Sequence, residues 1–128
     1  MTRLSDDEEK ALARRIEQMR KGTTTLAVLK LLADAAQPMH GYQIIRELEA
    51  RGRGSFQFKE GLIYPRLHQM EREGLLHGRW EEGSGRRRKV YTITESGRRR
   101  LEMELREWES FRQGMGWLLG LEKGTSAG

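Results

Sequence analysis

A mainly α-helical fold carrying one two-stranded β-wing is what this 128-residue sequence predicts. Three observations lead to it. Apolar residues recur at helical spacing through most of the chain. That period switches once, after Gly74, to short aromatic and β-branched runs on either side of Gly83-Ser84-Gly85, the pattern of a hairpin. The charge is also local: residues 79–100 hold eight basic and three acidic side chains, which equals the whole net charge of +5.

The elements follow in order. Ser5-Asp6-Asp7-Glu8 has the S-x-x-E form of a capping box, with acids where a helix dipole favours them. Leu12, Ile16 and Met19 follow at helical spacing, which predicts an amphipathic helix over 6–21. Gly22 reads as its stop and Thr23-Thr24-Thr25 as a fresh N-cap. LAVLKLLADAA at 26–36 is apolar on nearly every face, as a buried central helix is. Gln37-Pro38 ends it. YQIIRELEARG at 42–52 predicts a third helix closed by Gly52, and 54–61 a loop. LIYPRLHQMEREG at 62–74 restores helical spacing through Ile63, Leu67 and Met70. Pro65 is tolerable there if the helix starts at Gly61 or Leu62, because about one intrahelical bond is then lost. In the hairpin, Leu76, Gly78 and Trp80 share a face of one strand, and Lys89, Tyr91 and Ile93 a face of the other. Thr94 caps a last helix from about Glu95 to about Leu119, roughly 35 Å long, and the tail after it reads as frayed.

Composition narrows the chemistry. With no cysteine there is no disulfide scaffold, thiol nucleophile or thiolate metal site. No apolar run suits a signal peptide or a membrane span, so the expected compartment is the cytoplasm. His40, His68 and His77 lack metal-ligand spacing, and no serine, histidine and acid arrangement suggests a nucleophile. No enzyme activity, cofactor or metal is expected. A basic surplus on one glycine-hinged tip points to nucleic acid.

Helix, helix, short link, helix, then a hairpin with a basic tip is the order of a winged helix-turn-helix, in which the second helix of the turn unit enters the DNA major groove. The expected organisation is an N-terminal helical extension at 1–22, a DNA-binding winged helix-turn-helix at 23–94, a long C-terminal dimerisation helix at 95–120 and a flexible tail at 121–128.

The sequence resembles the PadR family of bacterial transcriptional regulators. The resemblance rests on LAVLKLL at 26–32, His40-Gly41-Tyr42 with Ile45 and Leu48, and Glu60-Gly61-Leu62-Ile63-Tyr64-Pro65. It continues through Leu67, Glu71, Gly74-Leu75-Leu76, Trp80, the basic tip at 85–89, Tyr91, Ile93-Thr94 and Gly97. It covers about 25–100 closely and the last helix by position, which matches the smaller subgroup with a single C-terminal helix. It implies a homodimeric repressor on a palindromic operator, touching DNA through wing and third core helix, and released by a small aromatic or drug-like compound. Two departures are the extension at 6–21, which bears on dimer geometry, and Leu62 where the family often has threonine, which bears on operator choice.

The DNA-binding candidates are Gly41, Tyr42, Gln43, Lys59, Glu60, Gly61, Tyr64, Arg66, Arg86, Arg87, Arg88 and Lys89. The four consecutive cations suit phosphate oxygens, and arginine suits a narrow minor groove. Tyr42 and Tyr64 can pack a ring while the hydroxyl reaches a phosphate, or serve only as core. Gly41 and Gly61 permit close approach at helix N-termini. Glu71 is read as a solvated acid or as one that orients an arginine. On the last helix, Leu101, Trp108 and Met115 recur every seven residues, with Phe111, Leu118 and Leu105 beside them. With Leu12, Ile16 and Met19 they predict a dimer seam, intrachain core being the plainer alternative. Trp108 and Phe111, near their dimer mates, would line a slot for a flat aromatic effector. The competing account of the whole chain is a winged-helix protein-interaction module whose basic wing grips an acidic partner.

Overall fold

The computed structural model describes residues 3–83 and 85–121. Seven elements follow one another: α1 (Asp6–Asp34), β1 (Met39–His40), α2 (Gly41–Arg51), α3 (Glu60–Arg72), β2 (Leu76–Gly83), β3 (Arg86–Ile93) and α4 (Glu95–Leu119). The mainly α fold with its wing is as expected. The predicted side chain of Ile16, the tip residue Ser84 and the tail beyond Leu121 lie outside the described residues.

α1 starts where the capping box places it: the Ser5 hydroxyl accepts from the Glu8 N–H and the Glu8 carboxylate from the Ser5 N–H. It does not stop at Gly22, and the threonines after it cap no new helix. One helix of 29 residues replaces the two expected, so the boundary expected after residue 22 falls inside it. A mid-helix glycine costs about 1 kcal/mol and each threonine roughly half that. Tertiary burial outweighs the cost: Thr24, Val28 and Leu29 are wholly buried, with Leu31 and Leu32 nearly so. The Thr23 hydroxyl turns back on the Met19 carbonyl at 3.5 Å, an internal partner that replaces the capping role.

Ala35 leaves the helical region and Pro38 follows. The chain then makes β1, which the two-stranded expectation lacked. Met39 pairs with Tyr91 and His40 with Val90, giving a three-stranded antiparallel sheet in the order β1-β3-β2. The wing register is as read: Leu76 faces Ile93, Gly78 faces Tyr91 and Trp80 faces Lys89. Gly85, at φ +85°, supplies the left-handed residue of the turn.

α3 begins at Glu60, one residue before the expected start. Pro65 still removes a single ladder bond, the one its N–H would have made to the Gly61 carbonyl. Ile44, Ile63, Leu67 and Met70 from α2 and α3 meet Val28, Leu29 and Leu32 of α1 in one core, closed by Leu75, Leu76 and Tyr91 of the wing base and by Leu101 of α4. Asp34 accepts from Lys30 and from Arg51, each at 3.0 Å, and so ties the end of α1 to the end of α2.

Candidate nucleic-acid interface

The start of α2, the exposed side of α3 and the wing enclose a cleft of about 880 Å³. Its walls are His40, Gly41, Tyr42, Tyr64, His68, Trp80, Tyr91 and the run Arg86-Arg87-Arg88-Lys89. Seven of the twelve predicted site residues therefore meet here. Gln43 does not: its side chain turns back to cap α2, and it lines a second, smaller groove of about 350 Å³ that shares His40, Arg86 and Arg88 with the first. Lys59, Glu60 and Gly61 stand exposed at the start of α3, outside the cleft, and Arg66 reaches along α3 to Gln69 at 3.4 Å.

Gly41 has a structural reason of its own. It is buried, and a Cβ there would overlap the Tyr64 ring, with Cζ at 2.9 Å. Tyr64 is half-buried on that contact, whereas Tyr42 is open to solvent beneath the Arg46 guanidinium. Burial, then the nearby Glu71, push the Tyr91 phenol up to about 12, so it stays neutral. Burial, then Glu60, raise Tyr64 as well.

The cations of the tip are not equivalent. Lys89 is held by Glu71 of α3 at 2.6 Å, and both side chains are largely shielded. Glu71 thus pairs with a lysine, not the arginine expected, and the pair straps the wing to α3. Gly78 makes room for it, since a Cβ would come within 2.6 Å of Lys89 Cε and 2.8 Å of Glu71 Oε2. Arg87 lies over the Trp80 ring at 5.0 Å from its centre, a contact that holds the guanidinium outward without neutralising it. Arg86, Arg87 and Arg88 are exposed.

His40 and Trp80 were not among the candidates. His40 is the N-cap of α2: its Nδ1 accepts from the Gln43 N–H at 3.2 Å, and its own N–H donates to Gln43 Oε1 at 3.1 Å. The spacing H-x-x-Q at 40–43 carried this signal, but histidine is outside the usual capping set. Trp80, at 58% exposed, could have been found from an apolar residue on the basic strand pair.

Partial burial, then the Arg88 charge, hold His40 below its ordinary 6.5. The folded state therefore takes up the proton less readily than the unfolded chain, and the stability this gives is present above pH 6.5 and lost as pH falls. Glu8, Asp34 and Glu109, held low by hydrogen bonds to Ser5, Lys30 and Arg112 respectively, lose theirs only further into acid. Thermal melts between pH 6.5 and about 5 should show a declining Tm, and His40→Asn should flatten that decline. A Tm independent of pH in this window would contradict the assignment.

The sequence pattern of the transcriptional regulator PadR-like family matches residues 28–103. The chain belongs to this family. Transcriptional regulator Rv3488 of Mycobacterium tuberculosis is 31% identical over 94 residues, spanning 73% of this chain and 83% of that one. The crystal structure of a PadR family transcriptional regulator from Eggerthella lenta superposes with a TM-score of 0.79 at 27% identity, covering 90% of this chain and 97% of the other. Bacillus subtilis PadR, solved in complex with operator DNA, superposes with a TM-score of 0.58 at 28% identity, over 65% of this chain and 46% of that one. The PadR-like match thus takes in α2, α3, the wing and the start of α4, the segments that build the cleft.

Four helical candidates for a seam, Leu105, Trp108, Phe111 and Leu118, stay exposed on α4, with Leu12 and Met19 on α1. Leu101 does not: at 7% exposed it belongs to the chain's own core, because α4 packs against α1. Met115 is half-buried. Trp108 and Phe111 sit 6.1 Å apart. Trp108 and Leu105 also wall an apolar cavity of about 320 Å³ with Ala27, Phe56 and Phe58. Among the described residues no helix is long and apolar enough to cross a membrane.

Proposed function

We propose that the chain is a homodimeric, sequence-specific DNA-binding repressor, with two α3 helices and two wings addressing half-sites of a palindromic operator about one helical turn apart. One observation carries this reading: three exposed wing arginines, for which no ion pair is formed among the described residues, stand beside the start of α2 and the exposed face of α3. Such an arrangement suits phosphates on both sides of a groove, and the operator complex of Bacillus subtilis PadR supports it. The reading involves no catalytic step and a cytoplasmic protein. Fluorescence anisotropy on the protein's own promoter duplex against a scrambled duplex, at several salt concentrations, tests it. A preference of about 10³-fold is expected, the lower end for specific binders, with affinity falling steeply as salt rises. Equal binding to both duplexes would leave a non-specific DNA binder. No binding at low salt would favour an acidic protein partner for the wing.

The apolar side chains left open on α1 and α4 support the dimer. Leu118 is 81% exposed and Phe111 60%, and burying a side chain of this size contributes about 2–3 kcal/mol. Sedimentation of the protein should give twice the 14.9 kDa chain mass. Phe111→Glu/Leu118→Glu should give the chain mass with helicity unchanged, because neither side chain is part of the core. A wild-type protein that sediments as a single chain at micromolar concentration would rule the dimer out.

Release by a flat aromatic or drug-like effector at Trp108 and Phe111 completes the reading. The neighbouring cavity is at the small end of the ligand-pocket range, and its wall includes Phe58, two residues before α3 begins. Unchanged tryptophan fluorescence and Tm across a panel of planar ligands would count against it.

A further inference from the structure

We propose that His40 is a phosphate-binding residue, its Nε2–H and the Arg88 guanidinium converging as paired donors on one backbone phosphate oxygen. The proposal rests on the DNA-binding reading above and names an atom-level contact within it. A neutral imidazole carries one hydrogen and one lone pair. The Gln43 N–H points at Nδ1 from 3.2 Å, so the lone pair is there and the hydrogen is on Nε2. Arg88 Nη1 lies 3.2 Å from that same Nε2, and a guanidinium has only hydrogens to offer. Two N–H groups therefore confront each other with no acceptor between them.

No protonation state of the ring removes the conflict. Moving the hydrogen to Nδ1 would satisfy Arg88 but set two N–H groups against each other at the cap and leave a first-turn amide of α2 without its acceptor. An imidazolium would clash at both nitrogens. The acids of the partner strand do not fill the gap in this structure: Glu81 stands opposite Arg88 in the register but its carboxylate turns to Arg79 at 3.1 Å, and Glu82, which shares a groove with both side chains, is paired with neither among the described residues. Among the described residues no carboxylate forms an ion pair with Arg88. What the cluster lacks is one anionic oxygen with two free lone pairs, reachable from the cleft that both side chains line. A water could accept both hydrogens but would leave the arginine charge unbalanced. A phosphodiester oxygen supplies both, and the start of α2 adds a favourable partial charge.

The contact is neutral on the His40 side and cationic on the Arg88 side, so the two have different signatures. His40→Asn keeps a capping side chain but removes the Nε2–H; His40→Gln keeps a donor near that place but weakens the cap. On a duplex that the wild-type protein binds, H40N should bind about tenfold more weakly, as for one hydrogen bond to a charged acceptor, with Tm and salt slope retained. H40Q should keep most of the affinity and lose Tm. Arg88→Ala should reduce the salt slope by about 0.9, one phosphate, and the double variant H40N/R88A should lose less than the product of the two single losses. Nitrogen-15 spectra of the free full-length protein, with His40 assigned by its absence in H40N, should place the ring hydrogen on Nε2. Wild-type affinity in H40N, fully independent losses in the double variant, or a hydrogen on Nδ1 would each overturn the proposal while the DNA reading stands. Failure of the wild-type protein to bind any duplex at low salt would remove both.

Discussion

Alanine at Arg86, Arg87 and Arg88 together should weaken binding to every duplex by roughly 10²–10³-fold and flatten the slope of log affinity against log salt by about 2–3, the sum of three phosphate contacts. The loss should be nearly the same for promoter and scrambled sequences, because the charges at stake position the protein and do not read bases. The fold should survive it. All three side chains are exposed, and the wing stays strapped through Lys89 and Glu71. Surface changes of this kind usually shift stability by no more than about 0.5 kcal/mol. Anisotropy titrations across a salt series read both quantities at once, and a triple variant whose slope is unchanged would take the wing out of the interface.

Alanine at Gly97 should act on stability, costing about 3 kcal/mol, the upper end for overpacking a tight site. A Cβ at this position would overlap the Leu75 carbonyl oxygen and lie 2.7 Å from Ile93 Cγ1, and a backbone carbonyl in a core cannot swing aside. The same oxygen is already the hub of the junction between wing and last helix. The Thr94 N–H donates to it at 3.1 Å. The Thr94 hydroxyl approaches the Gly74 and Leu75 carbonyls at 2.6 and 3.0 Å, and accepts from the Gly97 N–H at 3.0 Å. Displacing α4 there would break the cap and the wing base together. Gly114 on the same helix is the control: a Cβ there meets nothing within 4 Å, so Gly114→Ala should stabilise by roughly 0.5–1 kcal/mol through helix propensity. Urea denaturation of both variants should show opposite signs. Equal behaviour would mean that α4 is not seated on Leu75 as described.

The features legible in the sequence were those written in local chemistry. Ser5 and Glu8 announce the start of α1, Gly52 the end of α2, and alternation through 76–80 and 89–93 sets the strand register. The charge run at 86–89 points to the proposed interface because four adjacent cations have no partner close in sequence. What stayed hidden depends on distant partners. The helix runs on through Gly22 because Thr24 and Val28 are buried by the rest of the fold, which no local propensity records. β1 is two residues long, too short to display a period. The role of Lys89 emerges only when α3 brings Glu71 to it, and Leu101 leaves the seam because α4 packs against α1 and draws it into the chain's own core. His40 was present in a recognised motif, but its Nε2 environment needs Arg88 from 48 positions away.

The uninterrupted α1 turns the N-terminal extension into a mechanical lever. From Asp6 to the buried Thr24 the rod is about 27 Å long at 1.5 Å per residue, and its far part carries Leu12 and Met19 in the open. A break at Gly22 would have let that arm pivot freely. Without one, a tilt of about 5° at the core carries the tip roughly 2 Å sideways by the same length, and a push at the tip is felt directly by Val28 and Leu29 beneath α2 and α3. Whatever grips this arm sets the angle at which the cleft is presented.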